Sequence, residues 1–549
     1  MHALTHLTPV RRLGLALGLS ALFGSTAVAQ IDPVYRLLRR ITPGFNYTEL
    51  QQARAMGFQA VLNEQLINYA GLDDAETTVL SEWPVVQMLP REVGANYNGL
   101  TDGAAGEDLQ RARLWRWLAS DQGFYERMVW FWENHFNIDY GKRAGPALLP
   151  SFLEEVNRKH TFGSFRDMIH AAMGTNNELV PVHGVMALAH YLDNDTSSCQ
   201  VNPNENLARE ALELYILGAT HPLTGDDIQV YTETNVRDFA RMISGWGLQV
   251  SMPADPTDFR FEFLPADHCD GPDGNPTLDY QFLGVTISPD DVFPTEGQLA
   301  IDAAVDYFDP PPPAGQDLGR VCATFIAAKL VRTFLTDAPL QGLNGTQILA
   351  LRRALADAEN AFGVDGDITA MLQAILTEDN VRDVLDAPNP MYKYMSPWHF
   401  MTAALRGSAA IISTSQGVDS LRSILANNLS QGPYAFGPPN GYSEQIDKWA
   451  QNQPGRWRFA YDLFELQPGG RYGAIPGVGV DVPRLYLQVG GFDRATCASQ
   501  ANELMAGGAL SATEVQIIQD FANTSPDNDR DMAWKALFLT VAAPGFNLY

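Results

Sequence analysis

The sequence predicts a mainly α protein, a large multi-helical body with a small β-hairpin insertion, and three observations carry that prediction. Apolar residues recur at spacings of three and four along much of the chain, the period of a helix buried on one face. Helix punctuation brackets those runs, with Asn or Thr before them and Gly after. Strand-like alternation is confined to a stretch between residues 259 and 285.

The first element is a signal peptide over residues 1–29. His2, His6, Arg11 and Arg12 make a basic start, and no acidic residue precedes Asp32. Leu13 to Phe23 is an apolar run too short to span a bilayer, and Ala27-Val28-Ala29 supplies small residues for cleavage. The expected location is periplasmic or extracellular, by either Sec or twin-arginine export given the Arg11-Arg12 pair. No later apolar stretch is long enough for a membrane helix. The formal net charge is −27, and residues 1–29 contain two arginines and no acid, so their loss makes it more negative. Such a surface repels phosphate backbones and anionic lipid heads, which argues against nucleic-acid binding and favours cationic or neutral partners and divalent cations.

An N-terminal helical region follows, 30–309, with helical periodicity at Tyr47 to Gly57, Asp108 to Ser120 and Glu126 to His135. Phe259 to Phe263 alternates, and Tyr280 to Val285 is expected to pair with it as a hairpin across the loop Pro265 to Leu278. Pro310 to Pro313 is a stiff connector to a C-terminal helical region, 314–549, with helices at Phe325 to Leu335, Ile348 to Phe362 and Ala533 to Val541. The four cysteines, Cys199, Cys269, Cys322 and Cys497, form no CxxC pair. In an oxidising compartment they permit two disulfides in any of three pairings.

The segment Asn202 to Tyr215 is the richest in chemistry. Asn202 reads as an N-cap, Pro203 as the first helical residue and Glu205 as the acid of a capping box. Glu205, Arg209 and Glu213 make a ladder at i, i+4 spacing, the pattern of a solvated face. Glu210 instead falls on the apolar arc with Leu207, Ala211, Leu214 and Leu217. A carboxylate there is either paired with a cation or kept protonated, the conditions that also make a general acid or a metal ligand. A second helix begins at the N-cap Thr232 and buries Val236, Phe239, Ala240, Ile243 and Trp246. Arg237 and Arg241 at its edge are both candidates for the cation that Glu210 requires. His135 ends an aromatic helix, Met128 to Phe136, as either a core histidine or a ligand. His160, His170, His183 and His190 are scattered without an HExxH pattern, so zinc hydrolysis has little support. The loop from Asp267 to Asn275 offers Asp267, Asp270 and Asp273 to a divalent cation such as calcium, without EF-hand spacing; the bland alternative is an acidic turn. There is no GxSxG, no phosphate-cradling glycine loop and no dinucleotide fingerprint.

At several of these residues the chain resembles the bacterial family known as domain of unknown function 1800. The resemblance rests on Arg36 to Arg40 with Thr42 to Phe45, on Trp130 to Phe136, on Gly163 to Met168, and on Tyr191 to Asn194. It continues in Pro203 to Glu210 with Glu213-Leu214, then Tyr231 to Trp246, His268, Leu283-Gly284 and Ala327 with Lys329-Leu330. Ser396-Pro397, Ala404 to Arg406 and Pro438 to Tyr442 complete it. The chain departs from the family pattern at Asn235, where an acid is usual, and at Asp238, where Glu is usual. It departs again at Cys269, which interrupts a His-Asp-Gly run that normally continues to a Lys. The resemblance implies an exported, largely helical protein and a co-exported partner of the domain of unknown function 1501 family.

Three functions fit these residues. The first is an extracytoplasmic hydrolase acting on an envelope or extracellular polymer, with Glu210 as general acid, Glu205 or Glu213 as second carboxylate, and His135 and Arg241 orienting the substrate. The second is a non-catalytic secreted scaffold or assembly factor, in which the Glu and Arg residues form a buried ion-pair network. The third adds a structural cation at Asp267, Asp270 and Asp273.

Overall fold

The computed structural model describes residues 32–67, 73–142, 145–174, 185–199, 202–228, 230–250, 259–289, 295–309, 320–336, 345–385 and 393–548. The expected signal peptide at 1–29, the expected connector at 310–313 and His183 lie outside the described residues.

The chain is mainly α with small two-stranded sheets, as the periodicity predicts. The expected helices appear as Tyr47–Met56, Gly103–Ala119, Gly123–His135, Val321–Phe334, Gly345–Phe362 and Asp529–Ala542. Caps account for several boundaries. Asn46 and Glu49 close a reciprocal capping box on the first of these, and Asn528 caps the last. None of the helices is long and apolar enough to cross a membrane, among the described residues.

Helices from both halves share one hydrophobic core, from Val34 to Phe546. Gly123–His135 lies inside it, with only Asn134 not buried. Its Trp130 meets Trp398 of the Pro397–Gly407 helix at 4.7 Å between rings, and Trp117 of the Gly103–Ala119 helix meets the same indole at 5.0 Å. The aromatic run is therefore core rather than a sugar-stacking surface. The N-terminal helix Pro33–Ile41 is tied to the end of the chain, since Arg39 donates to the Phe546 carbonyl at 2.6 Å.

The hairpin expectation needs correction. Phe259–Phe263 pairs antiparallel with Trp246–Val250, and Tyr280–Phe282 pairs separately with Val285–Ile287. Trp246 therefore begins a strand rather than continuing the Glu233–Met242 helix, which ends at the C-cap Ile243 before the chain turns at Gly245 with φ 91°. One disulfide, Cys199–Cys269, joins segments 70 residues apart, while Cys322 and Cys497 are free and buried.

Candidate functional site

The site is built on the helix that contains Glu210. It starts at Asn206 rather than after Asn202, because Asn202 takes φ 82° and bridges to Ser198. Glu205 stands at its N-cap position without a side-chain cap bond, and Asn204 Oδ1, one residue earlier, accepts from the Asn206 N–H at 2.9 Å. After Asn206–Glu210 the coil widens into a π-helical turn, Ala211–Ile216, a feature that admits an extra residue per turn and recurs at functional sites. The buried stripe is Leu207, Ala208, Ala211, Leu212, Tyr215 and Ile216. Glu210 and Leu214 sit at its edge, half-buried. Gly218, with φ 88°, ends the coil where the ring of Phe325 would collide with any Cβ.

Glu210 opens onto a polar pocket of about 470 Å³. Four stretches of chain supply its walls: Asp139 and Lys142 after the aromatic helix, Tyr191 to Asp193, Asn206 with Glu210, and Gly437 with Pro439. The last wall is clamped to the aromatic helix. Asn134 donates to the Tyr442 carbonyl at 2.9 Å and accepts from its N–H at 2.7 Å. Asn137 donates to the carbonyls of Phe436 at 2.7 Å and Pro438 at 2.8 Å. Gly441 has φ 70° and lies so close to Asn134 that no side chain fits there.

The pocket holds three carboxylates and one cation. The Lys142 ammonium lies 3.1 Å from Asp193, donates to the Tyr191 carbonyl and sits 5.2 Å over the Tyr191 ring. Asp139 Oδ1 accepts from the Gly141 N–H at 2.9 Å. Glu210 has no hydrogen bond or ion pair among the described residues. Burial raises its carboxyl above the ordinary value, the charge of Glu213 adds to this, and Arg209 only partly opposes it. Burial, together with the charges of Asp139 and Glu210, pushes the Tyr191 phenol up to about 12, and that hydroxyl donates to the Gly437 carbonyl. Tyr215 is fully buried and its hydroxyl has no hydrogen-bond partner among the described residues. Its phenol is raised well above normal by burial and then by Glu210 and Tyr191.

The other residues singled out from the sequence do not join Glu210. Glu205 and Glu213 flank Arg209 at 3.0 and 3.6 Å, and Glu233 completes the set at 2.8 Å, so the ladder is the surface ion-pair network its spacing suggests. Neither is the second carboxylate of the pocket. Arg241 pairs with Asp238 at 3.1 Å and Asp273 at 2.8 Å, and Arg237 donates to Thr234 at 3.3 Å, so neither arginine serves as the cation for Glu210. His135 is buried behind the π turn, where its Nε2 meets the Tyr215 carbonyl at 3.1 Å. A carbonyl only accepts, so Nε2 carries the proton and Nδ1 accepts from Lys329 at 2.6 Å. Burial and the Lys329 ammonium hold His135 well below the usual imidazole range, and it is neutral.

The three loop aspartates are likewise apart. Asp267 accepts from Ser198 at 2.8 Å, Asp273 is exposed against Arg241, and Asp270 is exposed. Among the described residues no group of three or more His, Cys, Asp or Glu is arranged to hold a metal ion. The loop is anchored by the disulfide, and by Ser244 Oγ accepting from the Cys269 N–H at 3.0 Å. Asn235, the departure from the family pattern, closes a capping box by accepting from the Thr232 N–H at 2.8 Å.

Reading the sequence alone missed Asp139, Lys142, Tyr191 and Asp193 as site residues. The signal was present in part, because Tyr191 to Asn194 is one of the segments that carry the family resemblance. The second network missed is a buried one. Arg113 Nε lies 2.7 Å from Glu133, and its guanidinium also pairs with Glu126, which Arg158 meets from the far side at 2.9 Å.

Fold and site together define a mainly α protein organised round a carboxylate-rich pocket. The model of the family described as "Protein of unknown function (DUF1800)" matches residues 36–548, and the chain belongs to that family. No curated protein and no solved structure matches it.

Proposed function

We propose that this protein is an exported hydrolase acting on an envelope or extracellular polymer, with the Glu210 pocket as its active site and glycan cleavage as its chemistry. The observation that carries the reading is Glu210 itself: a half-buried carboxyl raised by burial, unpaired among the described residues, and open to a pocket with two further carboxylates. Two carboxyls held in different environments suit acid and base roles. Glu210, protonated, is the general acid. Asp193, oriented by Lys142 at 3.1 Å, is the base that activates water. The water oxygen attacks the anomeric carbon and gives its proton to Asp193, while the glycosidic C–O electron pair leaves on oxygen and takes the proton of Glu210. Convergence of four family-resembling segments on or beside this pocket adds support: Trp130 to Phe136, Tyr191 to Asn194, Pro203 to Leu214 and Pro438 to Tyr442.

The test is a panel of envelope and extracellular polymers assayed for new reducing ends and new amines, with wild type and Glu210→Gln. Cleavage of one polymer, lost by about 10²-fold or more in a folded Glu210→Gln protein, is the expected result for a missing general acid. Wild type inert on every polymer, or Glu210→Gln fully active, overturns the proposal. The former favours a non-catalytic scaffold working with a co-exported partner.

A further inference from the structure

We propose, resting on the reading of Glu210 as the acid of its pocket, that Lys329 is a positioning residue for that carboxyl, acting through His135 on the π turn that follows it. The argument starts from the end of the coil. Leu217 and Gly218 both donate to the Leu212 carbonyl, at 3.1 and 2.9 Å, and Ala219 donates to the Glu213 carbonyl at 2.8 Å. The later carbonyls are left as the orphans of a helix C-terminus. No backbone N–H among the described residues reaches the Tyr215 carbonyl, and the donor it has is His135 Nε2 at 3.1 Å. His135 therefore caps the π turn from a helix 80 residues earlier in the chain.

Lys329 decides whether it can. A neutral imidazole that donates through Nε2 must accept at Nδ1, and an ammonium has donors but no lone pair. Lys329 Nζ, 2.6 Å from Nδ1, excludes the tautomer that would turn a lone pair against the Tyr215 carbonyl. The charges that act on Lys329 leave it to this task. Arg332 on its own helix repels it, and Glu444, on the loop after Tyr442, is paired with Lys393 at 2.8 Å. The same face of the Val321–Phe334 helix grips the exit of the coil twice more. The Phe325 ring, one turn before Lys329, packs on Gly218, and Arg332 Nη1, one turn after it, donates to the Pro222 carbonyl at 3.0 Å.

One helix face thus fixes where the π turn ends, and Glu210 just before the turn and Glu213 within it ride on that placement. The Glu210 carboxyl is raised first by burial and next by Glu213. A turn that relaxes opens the carboxyl to water and swings Glu213 away, so both causes weaken. The direction separates this role from simple loss of charge. Removing an ammonium takes away a positive charge, which raises a nearby carboxyl. Losing the placement lowers it.

The experiment follows the Glu210 carboxyl by ¹³C NMR in the full chain, over the acid range where Lys329, brought down to about 7 by burial and Arg332, is charged. Lys329→Met and His135→Phe are both expected to shift the midpoint down from the wild-type value towards the ordinary 4.5. His135→Phe changes no charge, because His135 is neutral, and the new ring meets the aromatic neighbours Trp132, Phe136 and Phe165. Lys329→Arg keeps a donor without a lone pair and holds the midpoint nearer wild type. A further readout needs no variant: the ¹⁵N resonances of His135 in wild type at mildly acid pH are those of the Nε2–H tautomer. A midpoint unchanged or raised in folded Lys329→Met or His135→Phe, or an Nδ1–H tautomer in wild type, overturns the proposal; a merely structural role would lower stability and leave the midpoint where it is. Failure of this inference is distinguishable from failure of the hydrolase reading. A lowered midpoint in a protein inert on every polymer upholds the positioning and removes the catalysis. Glu210-dependent cleavage with an unmoved midpoint does the reverse.

Discussion

Arg113→Met is the perturbation whose cost the structure lets one work out. The guanidinium is 1% exposed and lies between Glu126 and Glu133, each with a side chain 3% exposed. Glu126 keeps a partner when Arg113 is lost, because Arg158 remains at 2.9 Å. Among the described residues Glu133 keeps only the Tyr434 hydroxyl, which donates to it at 2.9 Å. Breaking a buried pair on one side leaves an uncompensated charge, which costs about 3–5 kcal/mol. Burial already raises the Glu133 carboxyl, against the pull of Arg113 and Tyr434. Removing Arg113 raises it further. A carboxyl raised in the folded state contributes stability that is complete below its unfolded value and is lost as pH rises through the folded one. The deficit of Arg113→Met therefore grows from acid to neutral pH. Urea unfolding followed by circular dichroism at pH 5 and pH 7.5 measures it, and adding Glu133→Gln should recover about 1–3 kcal/mol through the pairwise coupling. A deficit below about 1 kcal/mol at pH 7.5, well under the buried-pair range, or equal deficits at both pH values, refutes the reasoning.

Two further outcomes are expected. Asn134→Ala removes both bonds to Tyr442 and should cost about 2 kcal/mol at roughly 1 kcal/mol per bond. It should also speed proteolytic cleavage between residues 435 and 441, read by mass spectrometry; unchanged cleavage kinetics would contradict the clamp. Burial and Arg332 push Lys329 down to about 7, with Glu444 opposing. The unfolded state then holds the extra proton above that pH, so wild-type stability should rise relative to Lys329→Met as pH increases from 7 towards the ordinary lysine range. A stability difference independent of pH would exclude that shift.

Much of the helical frame was legible because it is local. The spacing of apolar residues from Ile348 to Phe362 and the Thr232 cap depend on neighbours within a turn or two, and the structure has both. The sheet pairing was not legible. Trp246 reads as the end of the helix capped by Thr232 until Gly245 is seen at positive φ, and the strand Trp246–Val250 that pairs with Phe259–Phe263 follows from that turn. In the site, Glu210 stood out as a carboxylate on an apolar arc. The straight-helix projection that placed it there fails past Ala211, because the π turn shifts each later side chain. Arg209 takes Glu233 from 24 residues away, and the pocket gathers residues between 139 and 439. Such contacts leave no periodic trace in sequence.

The account turns on the state of one carboxyl, and its titration tests that most directly. Wild type labelled with ¹³C at the glutamate carboxyl, compared with Glu210→Gln to identify the resonance, gives its midpoint by NMR. The account predicts a midpoint above the ordinary glutamate value of 4.5. A midpoint at or below it means that a cation or solvent stabilises the charged form, and Glu210 is then not the acid of this pocket.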